Sequence, residues 1–214
     1  MKTLPKTHGA ARERGVVLLF CLIILVVLLA GGVAVMRSTD TSLFGAGNLA
    51  FKRDLVNQGE LAIAKAMREF QDGGALVTTA NNAAHRPAAN YSAIQLQTNE
   101  YGIPLALLQK TTLSGANVAG GTFTATGAAL TGEGGVTVRY VIDRMCNAIG
   151  AFSVIGKGGC VYTPSSTDTL GGDQSQLSVP GPSLPSPPIY RVSVRVDGPR
   201  DTQVFLQASF TKPE

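Results

Sequence analysis

Few residues in this 214-residue chain could do chemistry. There are two histidines, three cysteines and fourteen carboxylates. His8 lies near the N-terminus and His85 far from it, and neither has an acid or nucleophile partner that would make a triad. GAGNLA (45–50) fits G-x-G-x-x-A, the dinucleotide fingerprint, but it follows an oily helix where a strand is required. GAFSVIGKG (150–158) spaces its glycines one residue too far apart for a phosphate loop, and Gly158 follows Lys157 where Ser or Thr is needed. Asn90-Tyr91-Ser92 spells a glycosylation sequon, a pattern short enough to arise by chance. The carboxylates are too scattered to nominate a pair. The expectation is a protein that is not an enzyme and that holds no cofactor and no metal.

The cysteines say more. Cys21 sits inside an oily run, and its bulky neighbours Leu18, Leu19 and Phe20 exclude a lipoprotein cleavage box, so it reads as apolar filler. Cys146 and Cys160 remain as a pair in what reads below as an exported domain, which favours a disulfide. Closing a loop of this length stabilises a fold by roughly 3 kcal/mol in the chain-entropy model. Zinc is disfavoured, because two thiolates without a nearby histidine leave a tetrahedral ion half bound.

The elements that position these residues begin with the oily run. Val16 to Met36 carries no charge. At about 1.5 Å per residue it reaches roughly 31 Å, a bilayer's hydrocarbon thickness. Ahead of it stand Lys2, Lys6, Arg12 and Arg14 against Glu13, a net of +3 out of +4 for the whole chain. A basic flank of that kind stays in the cytoplasm, so the C-terminal bulk is expected on the far side. The folded part is nearly neutral and shows no basic patch, so no nucleic acid is expected as partner.

Past the membrane a helical pattern continues. Leu49, Val56, Ile63 and Phe70 recur every seven residues, with Gly59, Ala62, Ala66 and Met67 on the same side, so residues 37–72 predict an amphipathic helix with one stripe to bury. Asp72-Gly73-Gly74 is its stop signal. Gly31 and Gly32 permit close approach of another helix. Further on, a short helix is expected near Ser92–Gln97 and a strand near Thr122–Ala125. VTVRYVID (136–143), YRVSVRV (190–196) and VFLQASF (204–210) each alternate as half-buried strands, and DGPRDTQ joins the last two into a hairpin. Residues 163–188 carry six of the eleven prolines and read as an exposed loop. The fold class is therefore α+β: a long N-terminal helix, membrane half plus amphipathic half, packed on one face of an antiparallel sheet within a head at 73–214.

Arg14-Gly15 followed at once by the apolar run resembles a type IV prepilin processing site. The resemblance implies that residues 1–15 are a leader removed by a prepilin peptidase, with Val16 as the methylated mature N-terminus. More narrowly, ERGVVLLFCLIILVVLLAGGVAVMRST (13–39) and GAGNLAFKRDLVNQGELAIAKAM (45–67) resemble the PilX family of minor pilins. Met36-Arg37-Ser38, Gly47-Asn48 and Glu60 stand where that family has its M-R-S end, G-N box and A-E-A stretch. YRVSVRVDGPRDTQVFLQASF (190–210) resembles its closing hairpin. The resemblance implies a type IV pilin-like fold in the inner membrane with a periplasmic head. Its implied partners are other minor and major pilins, the inner-membrane assembly platform and the peptidase. Phe20 stands at the fifth mature position, where major pilins carry Glu, so a tip or initiating place is implied over the fibre shaft. A minor pseudopilin of type II secretion is the alternative, and a single-span exported enzyme or sensor domain the second.

Overall fold

The computed structural model describes residues 14–163 and 187–212. Residues 1–13 of the expected leader and 164–186 of the proline-rich segment lie outside them. Helix α1 spans Arg14–Arg68. The chain divides into two compact units, Met1–Phe51 and Lys52–Glu214, so α1 contributes to both. The first unit, where described, is helix whose side chains from Val16 onward are nearly all exposed.

The second unit is built on one sheet. Its strands are β1 (Tyr91–Ser92), β4 (Leu130–Thr131), β5 (Thr137–Arg144), β6 (Ile189–Asp197) and β7 (Gln203–Thr211). The order is β1-β5-β6-β7, with β4 also beside β5. β5, β6 and β7 pair antiparallel, and Tyr140, Val194 and Leu206 stand in one row. Two further strands, β2 (Leu113–Ala116) and β3 (Thr122–Ala125), form a separate hairpin. The short helices α2 (Thr79–Asn82) and α3 (Phe152–Ile155) complete the unit.

Period-two alternation decides what each sheet face does. Val138, Tyr140, Ile142, Tyr190, Val192, Val194 and Val196 are buried, and they share a face with the half-buried Val204, Leu206, Ala208 and Phe210. This face meets the second-unit part of α1. The closest approach is at Gly59, where a Cβ would overlap Leu206 Cδ1 and lie 3.1 Å from Val196 Cγ2. Phe70 packs edge-on against Tyr190 and Phe210, each with ring centroids 5.0 Å away.

The buried stripe is Leu55, Gly59, Ala62, Ala66 and Phe70. Val56 and Ile63 are half-buried beside it. Leu49 belongs to the first unit and stands 52% exposed, and Met67 is exposed as well, contrary to the expected stripe. Residues 16–50 are exposed on every side of α1, and Leu49 with them. Within the second unit a strict seven-residue repeat slides about 20° per heptad around a straight helix, which leaves Val56 and Ile63 beside a stripe spaced by fours and threes.

Three other expectations are corrected. Residues 92–97 form no helix: Tyr91–Ser92 pair parallel with Ile142–Asp143, which makes the sheet mixed. Ser92 Oγ donates to Ile94 O at 2.6 Å, and a short polar side chain bonded this way competes with the helical ladder. β6 is not half-buried. Tyr190 to Val196 are all buried, because the sheet's second face is also covered. The cover comes from Leu96, Ala106, Leu107, Leu113, Phe123 and Ala125, which cluster with Val141.

Gly59 generates a direct check. Gly59→Leu is expected to lower the second unit's stability by about 1–3 kcal/mol, because an overpacked interface forces shifts. Urea denaturation of the full chain in detergent measures it, with Leu61→Ala, at an exposed site, expected within about 0.5 kcal/mol of the parent. An unchanged Gly59→Leu midpoint contradicts the close contact.

Candidate functional site

Two places concentrate unusual side chains: the apolar run of the first unit and the charged second face of the sheet. On the run, Val16 to Leu29 present large apolar side chains that are half or more exposed. None of its most apolar window is buried within the chain, and the helix is long and apolar enough to cross a membrane. Gly31 and Gly32 have no atom within 4 Å of a built Cβ, so both leave open backbone on the surface. Cys21 is a free, exposed cysteine on the same surface. Gly15 and Val16, where processing is expected, lie in the first turn of α1.

The second face carries the charges. Asp143 is fully buried, and Arg191 docks on it with both ends of its fork: Nε donates to Oδ1 at 2.9 Å and Nη2 to Oδ2 at 2.5 Å. The Leu96 N–H donates to the same Oδ2 at 2.9 Å, while Arg191 Nη2 donates to Leu96 O at 3.2 Å. Burial pushes the Asp143 carboxyl above the usual carboxylate range, and the Arg191 guanidinium and the Leu96 N–H pull against that shift. With donors on both oxygens and the side chain fully buried, this carboxylate holds structure.

Arg195 repeats the pattern four residues on. Its Nη1 donates to Leu107 O at 2.9 Å and Leu108 O at 2.7 Å. Its other nitrogens bind Asp197, which Arg139 also reaches at 3.3 Å. Arg144, fully buried, donates to Ala93 O and Gly150 O. Arg144, Arg191 and Arg195 thus bond backbone carbonyls in residues 93–108, an irregular segment whose own pairing is limited to isolated bridges such as Leu96 with Asn117 and Thr98 with Pro104. Sequence alternation alone assigned Arg191 and Arg195 to a solvent face. The signal that could have found them is arginine recurring on one side of an otherwise Val- and Tyr-rich strand.

Cys146 and Cys160 form a disulfide, closing the loop that contains α3. It suits an oxidising compartment. His85 is half-buried against Phe123, with ring centroids 5.6 Å apart. Its Nδ1 accepts the Ala93 N–H at 3.2 Å. Burial holds its imidazole below the usual histidine value. Asn90 of the sequon is buried with a left-handed backbone, and its Oδ1 accepts the Gly127 N–H at 2.9 Å, so the folded chain offers no room for a glycan there.

A groove of about 1060 Å³ opens between α1 and the β4 edge, lined by Asp54, Asn57, Leu61, Lys65, Arg68 and Glu133 among others. Its mixed charges converge on no single chemistry. Among the described residues no group of three His, Cys, Asp or Glu side chains could hold a metal ion. No protein-family model, curated protein or solved structure matches the chain.

The buried pair and the histidine each give an expected outcome. Asp143→Ala strands Arg191 beside buried surroundings and is expected to lower stability by about 3–5 kcal/mol. The double variant Asp143→Leu with Arg191→Met is expected to lose less than the single one, and a larger loss in urea denaturation would contradict the pairing. For His85, the folded value lies below the unfolded value of about 6.5. Its contribution is therefore fully present above that value and declines as pH falls through it towards the folded value. Stability measured against pH should show this slope, and His85→Gln, which can still accept the Ala93 N–H, should flatten it.

Proposed function

We propose that this chain is a minor pilin of the PilX family, taking part in type IV pilus assembly at initiation or at the tip. It would be held in the inner membrane with its head in the periplasm until a prepilin peptidase cuts after Gly15. The observation that carries this reading is a basic Arg14-Gly15 step directly ahead of 21 uncharged residues that find no protein cover in their own chain. A helix of that kind is stable in lipid, and equally stable beside other apolar helices in a fibre core, because both surroundings are dry. Helix packing can then drive the exchange of one for the other.

The head supports the same reading. A helix stripe laid on antiparallel strands and closed by a C-terminal hairpin is what the resemblance implies, and the disulfide suits an exported head. Phe20 at the fifth position after the cut provides no carboxylate to offset a neighbour's terminal amine. A charge left unpaired in a dry core is costly. That favours a place at the end of a fibre over its shaft. The chemistry argues for assembly over catalysis, because the buried carboxylate and arginines are used up in holding the head together.

Mass spectrometry of the N-terminus in membranes of the producing cell tests this. The expected mature chain begins at Val16 and carries an N-methyl group, and Gly15→Ala leaves the full-length precursor. A mature chain that keeps residues 1–15, or normal cutting of the Gly15→Ala variant, overturns the proposal. Deleting the gene separates the two machines: loss of surface pili supports the pilus, whereas loss of protein secretion with intact pili assigns the chain to a type II secretion system.

A further inference from the structure

The two edges of the main sheet are finished differently. On one side β5 is flanked by β1 and β4, strands of two residues each. On the other side β7 runs for nine residues. It pairs residue for residue with β6 from Gln203 to Thr211, without a bulge. Among the described residues nothing bonds to the backbone along its outer side. A free edge presents alternating N–H and C=O groups ready to pair, and proteins that must keep one bare blunt it with lysine, proline, a bulge or an inward charge. QVFLQASFT has none of these.

A pocket of about 210 Å³ opens on the sheet over β6 and β7, lined by Tyr101, Ile103, Leu107, Ser193, Phe205 and Gln207 among others. Tyr101 is 78% exposed there, a large apolar ring that the fold leaves uncovered. An unprotected ladder together with an adjoining apolar pocket is the combination that strand addition uses, in which the main chain supplies affinity and the pocket selects a side chain.

We infer that the free edge of β7 receives an added strand: an extended, uncharged segment of another exported subunit, with one bulky apolar side chain seated in the Tyr101–Phe205 pocket. The alternation of β7 sets the pattern. Val204, Leu206, Ala208 and Phe210 lie half-buried on the face towards the helix, so the incoming strand needs apolar residues at every second position. Gln203, Gln207, Ser209 and Thr211 on the other face call for polar but uncharged ones, and Phe205, between them on that face, calls for the one bulky apolar side chain that enters the pocket. Charge matching sets the rest. Asp201, just before the strand, is paired with Lys110 at 2.7 Å. Lys212, just after it, donates to the carbonyls of Leu76 and Val77. The ladder between them offers no counter-charge, and a charged residue brought against it would be desolvated without a partner.

The partner belongs to the assembly role proposed above, but strand addition can be read whether or not Gly15 is cut, so either claim can fail alone. The probe is a fluorescein-labelled synthetic peptide, TVTLFVTLKK, whose Phe stands on the Thr face and can enter the pocket, titrated by anisotropy into the full chain in detergent. Micromolar binding is expected, and N-methylation of alternate peptide residues, which removes N–H donors and leaves the side chains intact, should weaken it about tenfold or more. Tyr101→Ala should weaken it several-fold, and hydrogen exchange should show new protection confined to β7 and the 101–104 loop. Three results overturn the inference: no binding at millimolar peptide, equal binding of the N-methylated peptide, or protection elsewhere than β7 and the 101–104 loop. Self-association of the full chain that occludes β7 before peptide is added would replace the partner subunit with a second copy.

Discussion

The structure depends first on a solvent constraint. From Val16 to Met36 there is no charge, and the side chains have no cover within the chain. Fully burying a Val, Leu, Ile or Phe side chain is worth about 1.5–3 kcal/mol, so water is an unfavourable home for this surface. The helix that carries it is long and apolar enough to cross a membrane. The disulfide of the second unit suits an oxidising compartment.

Within the second unit the organising fact is a sheet covered on both faces. A strand buried on both sides cannot leave its polar residues to water. β6 solves this by aiming Arg191 and Arg195 at Asp143, Asp197 and the carbonyls of Leu96, Leu107 and Leu108. The irregular chain from Ala93 to Leu108 has little ladder of its own to hold it, and the arginines provide substitutes. Breaking one partner leaves a charge in a dry place, so the network ties the cover to the sheet more than it adds net stability. On the opposite face the contact is apolar and close, and Gly59 sets the distance. Among the described residues, β7, last in the order, has no partner along its outer side.

Much of this was legible in the sequence where a single rule acts. Period two found β5, β6 and β7, and the Gly-Pro turn found their hairpin. The charge-free run found the apolar helix, and an even pair of cysteines found the disulfide. Thr122–Ala125 is a strand as expected. The misreadings arise where two rules compete. At Val56 and Ile63 a seven-residue repeat looked like the centre of one face, but 3.6 residues per turn moves them to the stripe's edge, and Leu49 lies where residues 16–50 are all exposed. At Ser92 a helix-compatible stretch was taken by side-chain bonds to its own backbone and by parallel pairing with β5. In β6 the arginines looked like a solvent face, because alternation cannot report that residues 93–126 fold over it. Asn90 shows the same limit: a sequon on paper is a buried turn residue in the fold.

The central claim is that the run from Val16 to Met36 is never in water, and the chain contains its own reporter. Cys21 lies within the run and is exposed when the chain is considered alone, while the other two cysteines are joined. It is therefore the one thiol open to a charged, water-soluble maleimide. In native membranes or assembled material Cys21 is predicted to stay unlabelled, and to label fully once the protein is denatured in SDS. Labelling of Cys21 at the rate of an ordinary exposed thiol in native material would contradict the account.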